Sequence, residues 1–299
     1  MSRPPARNPP PFPREVWSLF DQYVHGDIDR RGFLDRVARF AVGGWTAATI
    51  LDALSPRFAE AREVAADDPR ILRSFVEFAS REGYGRGRGL LARPRSAPGR
   101  RPGVLVIHEN RGLNPHIEDV ALRVALAGYV AFAPDALFPL GGYPGDEDKA
   151  RALFATLDQT KTTEDFVAAL DFLARHPDCN GTVGVVGFCY GGGMAGTLAV
   201  RVPSLAAAVP FYGSQPKPED VPRIRAAIQC HYADLDDRIN AGIPAFEAAL
   251  KASAVRYQIH RYPGTQHGFN NNTTPRFDAA AAALAWGRTL EFFKRQLGA

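Results

Sequence analysis

The sequence predicts an α/β chain: a mostly parallel, doubly wound sheet flanked by helices, with a helical extension in front of it. Three observations carry this reading. Short continuous apolar runs recur over Gly103–Ile107, Val130–Ala133, Val183–Val186, Ala206–Phe211, Ala227–His231 and Tyr257–Tyr262, the pattern of strands buried on both faces. Helical segments fall between them, so that strand and helix alternate and the strands are joined by crossovers. Ahead of them the pattern is helical only, and it gives way near Asp67–Arg70.

Each element has its local reason. Phe75–Ser80 and Gly89–Ala92 flank a glycine-rich stretch, Arg81–Arg88, and read as an antiparallel hairpin. Asn114 and Pro115 make a cap and first-turn pair for a helix reaching Ala127. Thr162–Arg175, Gly192–Val200, Ile243–Ala252 and Phe277–Gln296 complete the helices. The domain boundary therefore divides residues 1–70, an arm and helical extension, from residues 71–299, one catalytic-sized domain.

Within the first part, Met1–Pro13 holds six prolines and little that is apolar, which reads as a loose arm. From Arg14 to Leu54 the apolar residues Val16, Leu19, Phe20 and Tyr23, then Phe33, Leu34, Val37 and Phe40, fit two helices. A competing reading takes residues 30–61 as a twin-arginine export signal, on Arg30-Arg31-Gly32-Phe33-Leu34 and the small-residue site Ala59-Glu60-Ala61. Asp29, Asp35, Arg39 and Asp52 weigh against it, and the run is too polar to span a bilayer. A retained extension in a cytoplasmic protein and an exported precursor both stay open here, the first being preferred.

Composition narrows the class. With 299 residues, 45% hydrophobic and 23% charged, the chain can bury one large core. Its 36 basic and 32 acidic residues leave a formal charge of +4 with arginines scattered along the chain, which argues against a nucleic-acid partner. Cys179, Cys189 and Cys230 have no Cys-x-x-Cys spacing, so neither a disulfide framework nor a zinc site is indicated, and no metal is expected on that ground.

Chemistry concentrates at Gly187-Phe188-Cys189-Tyr190-Gly191-Gly192, between an apolar strand and a helix rich in glycine and alanine. This is the context of a nucleophile elbow: a side chain lifted above the sheet on so tight a turn needs glycines two positions away on either side. Cys189 then faces the positive end of a helix, and the backbone N–H of Tyr190 is placed for an oxyanion. Gly191 to Gly196 also match G-x-G-x-x-G by letters. The acidic residue that a dinucleotide site needs about twenty positions on is missing from the next strand, which argues against that cofactor.

Partners follow in the order nucleophile, acid, base. Ala233-Asp234-Leu235-Asp236-Asp237-Arg238 offers three aspartates that spacing alone does not separate. His267, in the turn-rich Pro263–Phe269 loop after the last strand, is the base candidate. His25 is set aside as lying outside the domain, His116 and His176 as helical, and His231 and His260 as strand residues. His108-Glu109-Asn110-Arg111-Gly112-Leu113 follows the strand where the second oxyanion N–H arises, and Glu109 is either an exposed partner of Arg111 or a group inside the pocket.

Taken together, His108–Leu113, Ala133-Pro134-Asp135, Gly187–Gly192, the Asp236 segment and Gln266-His267-Gly268-Phe269 resemble the dienelactone hydrolase (carboxymethylenebutenolidase) family over roughly residues 75–297. The resemblance implies an α/β-hydrolase fold, no cofactor and a triad of Cys189, Asp236 and His267, and it is what selects Asp236 among the three aspartates. It further implies that Glu109 touches the resting nucleophile and that the N–H groups of Asn110 and Tyr190 bind the oxyanion. Two departures stand out, Ala233 for a glycine and Phe138 where a tyrosine is expected, and the helical extension is additional. Arg111 or Arg238 are candidates to steer an anionic substrate, with Phe138 also lining its site. A small ester or lactone is the expected partner, and a homo-oligomer stays open. Two other readings remain: a broader carboxylesterase or thioesterase, and a non-catalytic binding or thiol redox-sensing protein.

Overall fold

The computed structural model describes residues 12–96 and 99–298. The proline-rich arm expected over Met1–Pro13 therefore lies, apart from its last two residues, outside the described residues.

Eight strands form one sheet in the order β1-β2-β4-β3-β5-β6-β7-β8. They are β1 (Ile71–Ser80), β2 (Gly85–Pro94), β3 (Arg101–Ile107), β4 (Val130–Pro134), β5 (Cys179–Phe188), β6 (Ala207–Phe211), β7 (Ala227–Leu235) and β8 (Tyr257–Gln266). The β1–β2 hairpin is antiparallel and joins β4 antiparallel, while every pairing from β4 through β8 is parallel. The hairpin strands run longer than their apolar cores suggest. Gly87, Gly89 and exposed arginines on β2 hide the alternation, and Gly87 has no room for a Cβ against the Phe78 ring.

Four helices precede the sheet: α1 (Arg14–His25), α2 (Arg30–Val37), α3 (Ala47–Leu54) and α4 (Phe58–Ala61). Two longer ones were expected up to Leu54. Gly43 and Gly44, both at positive φ, break the run, and Thr46 caps α3 by a reciprocal bond with Thr49. Val16, Phe20, Phe33, Val37, Ile50 and Leu54 are at most 2% exposed and form a core of their own. At about 1.5–3 kcal/mol per buried side chain, that core is enough to make the extension a packed layer.

In the sheet domain, α5 (Pro115–Leu126) and α11 (Ala279–Leu297) cover one face. The other is covered by α7 (Gln159–Arg175), α8 (Tyr190–Arg201) and α10 (Ile243–Ala252). Asn114 caps α5 as expected, whereas α7 starts earlier than its apolar pattern, because Asp158 accepts from the N–H groups of Thr160 and Lys161. Two short helices carry too little periodicity to be read from sequence: α6 (Glu147–Ala155), behind the cap Asp146, and α9 (Asp237–Asn240), behind Asp236. The topological switch lies between β3 and β5, where α/β sheets open a crevice at the strand carboxyl ends. Among the described residues no helix is long and apolar enough to cross a membrane.

Candidate active site

Above that crevice the chain leaves β5 into α8 through Cys189, held at φ 54° and ψ −111°. Such a backbone is costly for a residue with a side chain and persists only where the surroundings over-determine it. They do so here: the Cys189 N–H donates to Phe211 O at 3.0 Å, and its carbonyl accepts from Gly193 at 3.1 Å. A Cβ on Gly187 would lie 1.9 Å from Gly191 O, and one on Gly191 would lie 2.3 Å from Ile107 O. Glycine is thus imposed on both sides by main chain that cannot yield. Cys189 is partly buried, while Cys179 and Cys230 are buried in the core.

The loop after β8 brings His267, and the end of β7 brings Asp236. His267 Nδ1 and Asp236 Oδ2 are 2.6 Å apart, and both side chains are buried. Asp236 also accepts from the Ile239 N–H at the start of α9, so the helix that it caps aims it. Its neighbours do otherwise: Asp237 pairs with Arg14 at the surface, and Asp234 accepts from the Gly264 N–H. With Nδ1 given to the carboxylate, the Nε2 of His267 has no hydrogen-bond partner and is left for the sulfur.

A third group was not anticipated. The last residue of α1, His25, places Nε2 at 3.5 Å from Cys189 Sγ. Its ring meets the His267 ring edge to face at 4.7 Å. One donor atom from each of His25, Cys189 and His267 lies within 4.8 Å of the others, the one such grouping of histidine, cysteine and acidic side chains among the described residues. Behind the ring, His25 Nδ1 lies 2.7 Å from Asp21 O and 3.4 Å from Asp21 Oδ1. His25, which the sequence places outside the sheet domain, is thus carried back by the extension to the sulfur of Cys189.

Electrostatics follow from this crowding. Burial alone would push the Cys189 thiol up, but His267 and then His25 more than reverse it and bring it down to about 6. Burial likewise opposes charge on His267, and the Cys189 sulfur together with Asp236 lifts it to about 10. The arrangement is that of a thiolate flanked by imidazolium.

Comparisons with known proteins bear on the family and the fold. The sequence model of the dienelactone hydrolase family matches residues 88–297. The chain belongs to the dienelactone hydrolase family. An Escherichia coli protein provisionally named carboxymethylenebutenolidase is 33% identical over 222 residues, covering 69% of this chain and 82% of its own. A provisionally named hydrolase fragment of Escherichia coli, YghX, is 50% identical over 115 residues, 38% of this chain and 98% of the fragment. A crystal structure of a provisionally named dienelactone hydrolase from Klebsiella pneumoniae superposes with a TM-score of 0.64 at 26% identity, covering 74% of this chain and 99% of that one. The chain is thus a dienelactone hydrolase-like hydrolase. Residues 4–42 match a separate family, YqhI-like, a span that contains α1, α2 and His25.

Other residues that the family resemblance singled out have other neighbours. Glu109 accepts from Asn271 Nδ2 at 3.1 Å, and the hydrogen-bonding partner at the sulfur is His25 rather than this carboxylate. Asn110 sits in the turn after β3 and spends its side-chain amide on Val24 O at 2.9 Å. Tyr190 opens α8, where first-turn N–H groups lack helical partners. Its hydroxyl donates to Gln159 at 2.9 Å. Arg111 is not free to steer an anion: it is buried, bridged to Glu147 at 2.9 Å, and also donates to Val24 O. Phe138 does not reach the sulfur's surroundings and instead lines a separate cavity with Phe75 and Arg88. Arg238 does arrive, with Nη2 at 2.9 Å from His25 Nε2. Tyr212, which no sequence signal marked, is buried after β6 with its ring 5.0 Å from His267.

Cys189 borders two cavities, of about 200 Å³ on the Glu109 side and about 370 Å³ on the Tyr190 side. His25, Asn110 and His267 border both, so the end of α1 stands between them.

Proposed function

We propose that this hydrolase opens an ester or lactone by covalent catalysis. Cys189 attacks the carbonyl, His267 is the base, and Asp236 fixes the imidazole tautomer and supports its positive charge. The N–H groups of Tyr190 and Asn110 receive the oxyanion, and water then hydrolyses the thioester to return the thiol. The observation that carries this reading is the 2.6 Å contact between His267 and Asp236 beside a cysteine on a strained elbow.

A broader esterase or thioesterase reading has its own support. Arg111, Arg151 and Arg276, which line the two cavities, are each paired with a carboxylate. Arg238 alone among the arginines lining them has no carboxylate partner among the described residues. A substrate carboxylate thus has one guanidinium to meet.

The deciding experiment is a panel of carboxylate-bearing lactones and neutral aryl esters, assayed before and after complete alkylation of Cys189. Loss of all turnover on alkylation is expected. Preference within the panel separates the lactone reading from the broader one, and turnover that survives alkylation overturns the mechanism.

A further inference from the structure

The last turn of α1 is anchored by more polar contacts than a passive cover needs. Helices end with unpaired carbonyls, and here the sheet domain takes them up. Val24 O accepts from Asn110 and Arg111, and Tyr23 O accepts from Arg151 at 2.8 Å. Tyr23 donates to Asp148, which also pairs with Arg30. Arg276 reaches Asp21 at 3.2 Å. Gly26, at φ 87°, stops the helix directly behind His25, and Asp27 N–H closes back on Gln22 O. The product of all these contacts is one imidazole over one sulfur.

We infer that His25 is a second catalytic histidine, contributed by the extension, which in its protonated form donates from Nε2 to the Cys189 thiolate while Asp21 positions its ring. The inference rests on the nucleophile assignment above and deepens it.

The charges around the ring fit this role. Nδ1 faces the carbonyl and carboxylate of Asp21, so its proton stays there. Protonation from solvent then places the new proton on Nε2, at 3.5 Å from the sulfur. The negative end of α1 and the thiolate favour the charged ring, while His267 and Arg238 oppose it and Arg276 is offset by Asp21. Burial opposes the charge too, yet the sulfur and Asp21 raise the ring above its ordinary value. Arg238 and a proton on Nε2 exclude one another, and the guanidinium, on an exposed side chain, is the group free to turn away. His267, relieved of holding the thiolate alone, keeps its basic role for the attacking water.

The test uses the full-length protein with His25→Gln and His25→Ala, and reads the rate of Cys189 alkylation by iodoacetamide against pH. The reaction of Cys189→Ala gives the background from the two buried cysteines. The midpoint for thiolate formation is expected to rise by about one pH unit, with alkylation at pH 5 slowed about tenfold. Hydrolysis should fall more at pH 6 than at pH 8. Asp21→Asn, which leaves the imidazole in place, should move the midpoint in the same direction by less, and serves if the His25 variants fold poorly. A cover acting only by packing changes the alkylation rate by the same factor at every pH, so an unmoved midpoint in these variants overturns the inference. Because the readout is ionisation of the sulfur, it is separate from the alkylation-and-turnover test of the triad itself.

Discussion

The two imidazoles beside Cys189 are held by opposite means. His267 comes from the sheet domain, on the loop after β8, buried and fixed by a carboxylate at the end of the neighbouring strand. His25 comes from a layer with its own apolar core, and the contacts that seat its helix end are hydrogen bonds and ion pairs from arginine, asparagine and aspartate side chains. The first is built into the scaffold at the place where this fold puts its bases. The second depends on complementarity between two separately packed surfaces. The same sulfur thus has beside it one group placed by the topology and another placed by docking.

Substitutions can break that contrast. Cys189→Ala removes the atom that both imidazoles address, and a loss on the order of 10⁴-fold or more in kcat/KM is expected by analogy with other triads, with the circular dichroism spectrum unchanged. If turnover persists, the comparison has no centre. Asp236→Asn acts on the scaffold-built histidine only: it turns the ring toward the wrong tautomer, and a fall of roughly 10³-fold or more is expected in single-turnover acylation. A loss no larger than that of His25→Gln would mean that the two histidines are equivalent.

The pH profile sharpens the same point. Thiolate forms as pH rises through about 6, and the proton on His267 is lost as pH rises through about 10. Below the first value the nucleophile is protonated, and above the second the thiolate loses the imidazolium beside it. Rates of alkylation and acylation should climb through the lower value and hold between the two, with the acid limb alone moving when His25 is replaced. Smallest is the effect of Arg238→Gln, expected to raise KM about tenfold for a carboxylate-bearing lactone by loss of one charged contact while sparing neutral aryl esters. Equal changes on both substrates would remove Arg238 from anion recognition.

Much of this was legible in the residues and some was not, for physical reasons. The parallel strands could be read because burial on both faces writes continuous apolar runs such as Val183–Val186. The elbow could be read because backbone collisions at Gly187 and Gly191 leave glycine no substitute. Asp236 could not be separated from Asp234 and Asp237 by spacing, since what distinguishes it is the direction that it faces once α9 starts there. His25 was illegible for a deeper reason. Its 164-residue separation from Cys189 is bridged by docking, and docking surfaces made of arginine, asparagine and aspartate look in sequence like any solvated helix face. Arg111 misled in the complementary way, since nothing local reveals that Glu147 neutralises it.

Because α1 ends on the sulfur, it works as a ruler whose zero mark is its seat against the sheet domain. Adding one residue inside the helix would turn everything beyond the insertion by about 100° and advance it by about 1.5 Å. Such a change between Trp17 and Asp21 would keep the apolar character of the extension and still swing the ring at position 25 off its target. The length of this segment is therefore constrained along with its composition.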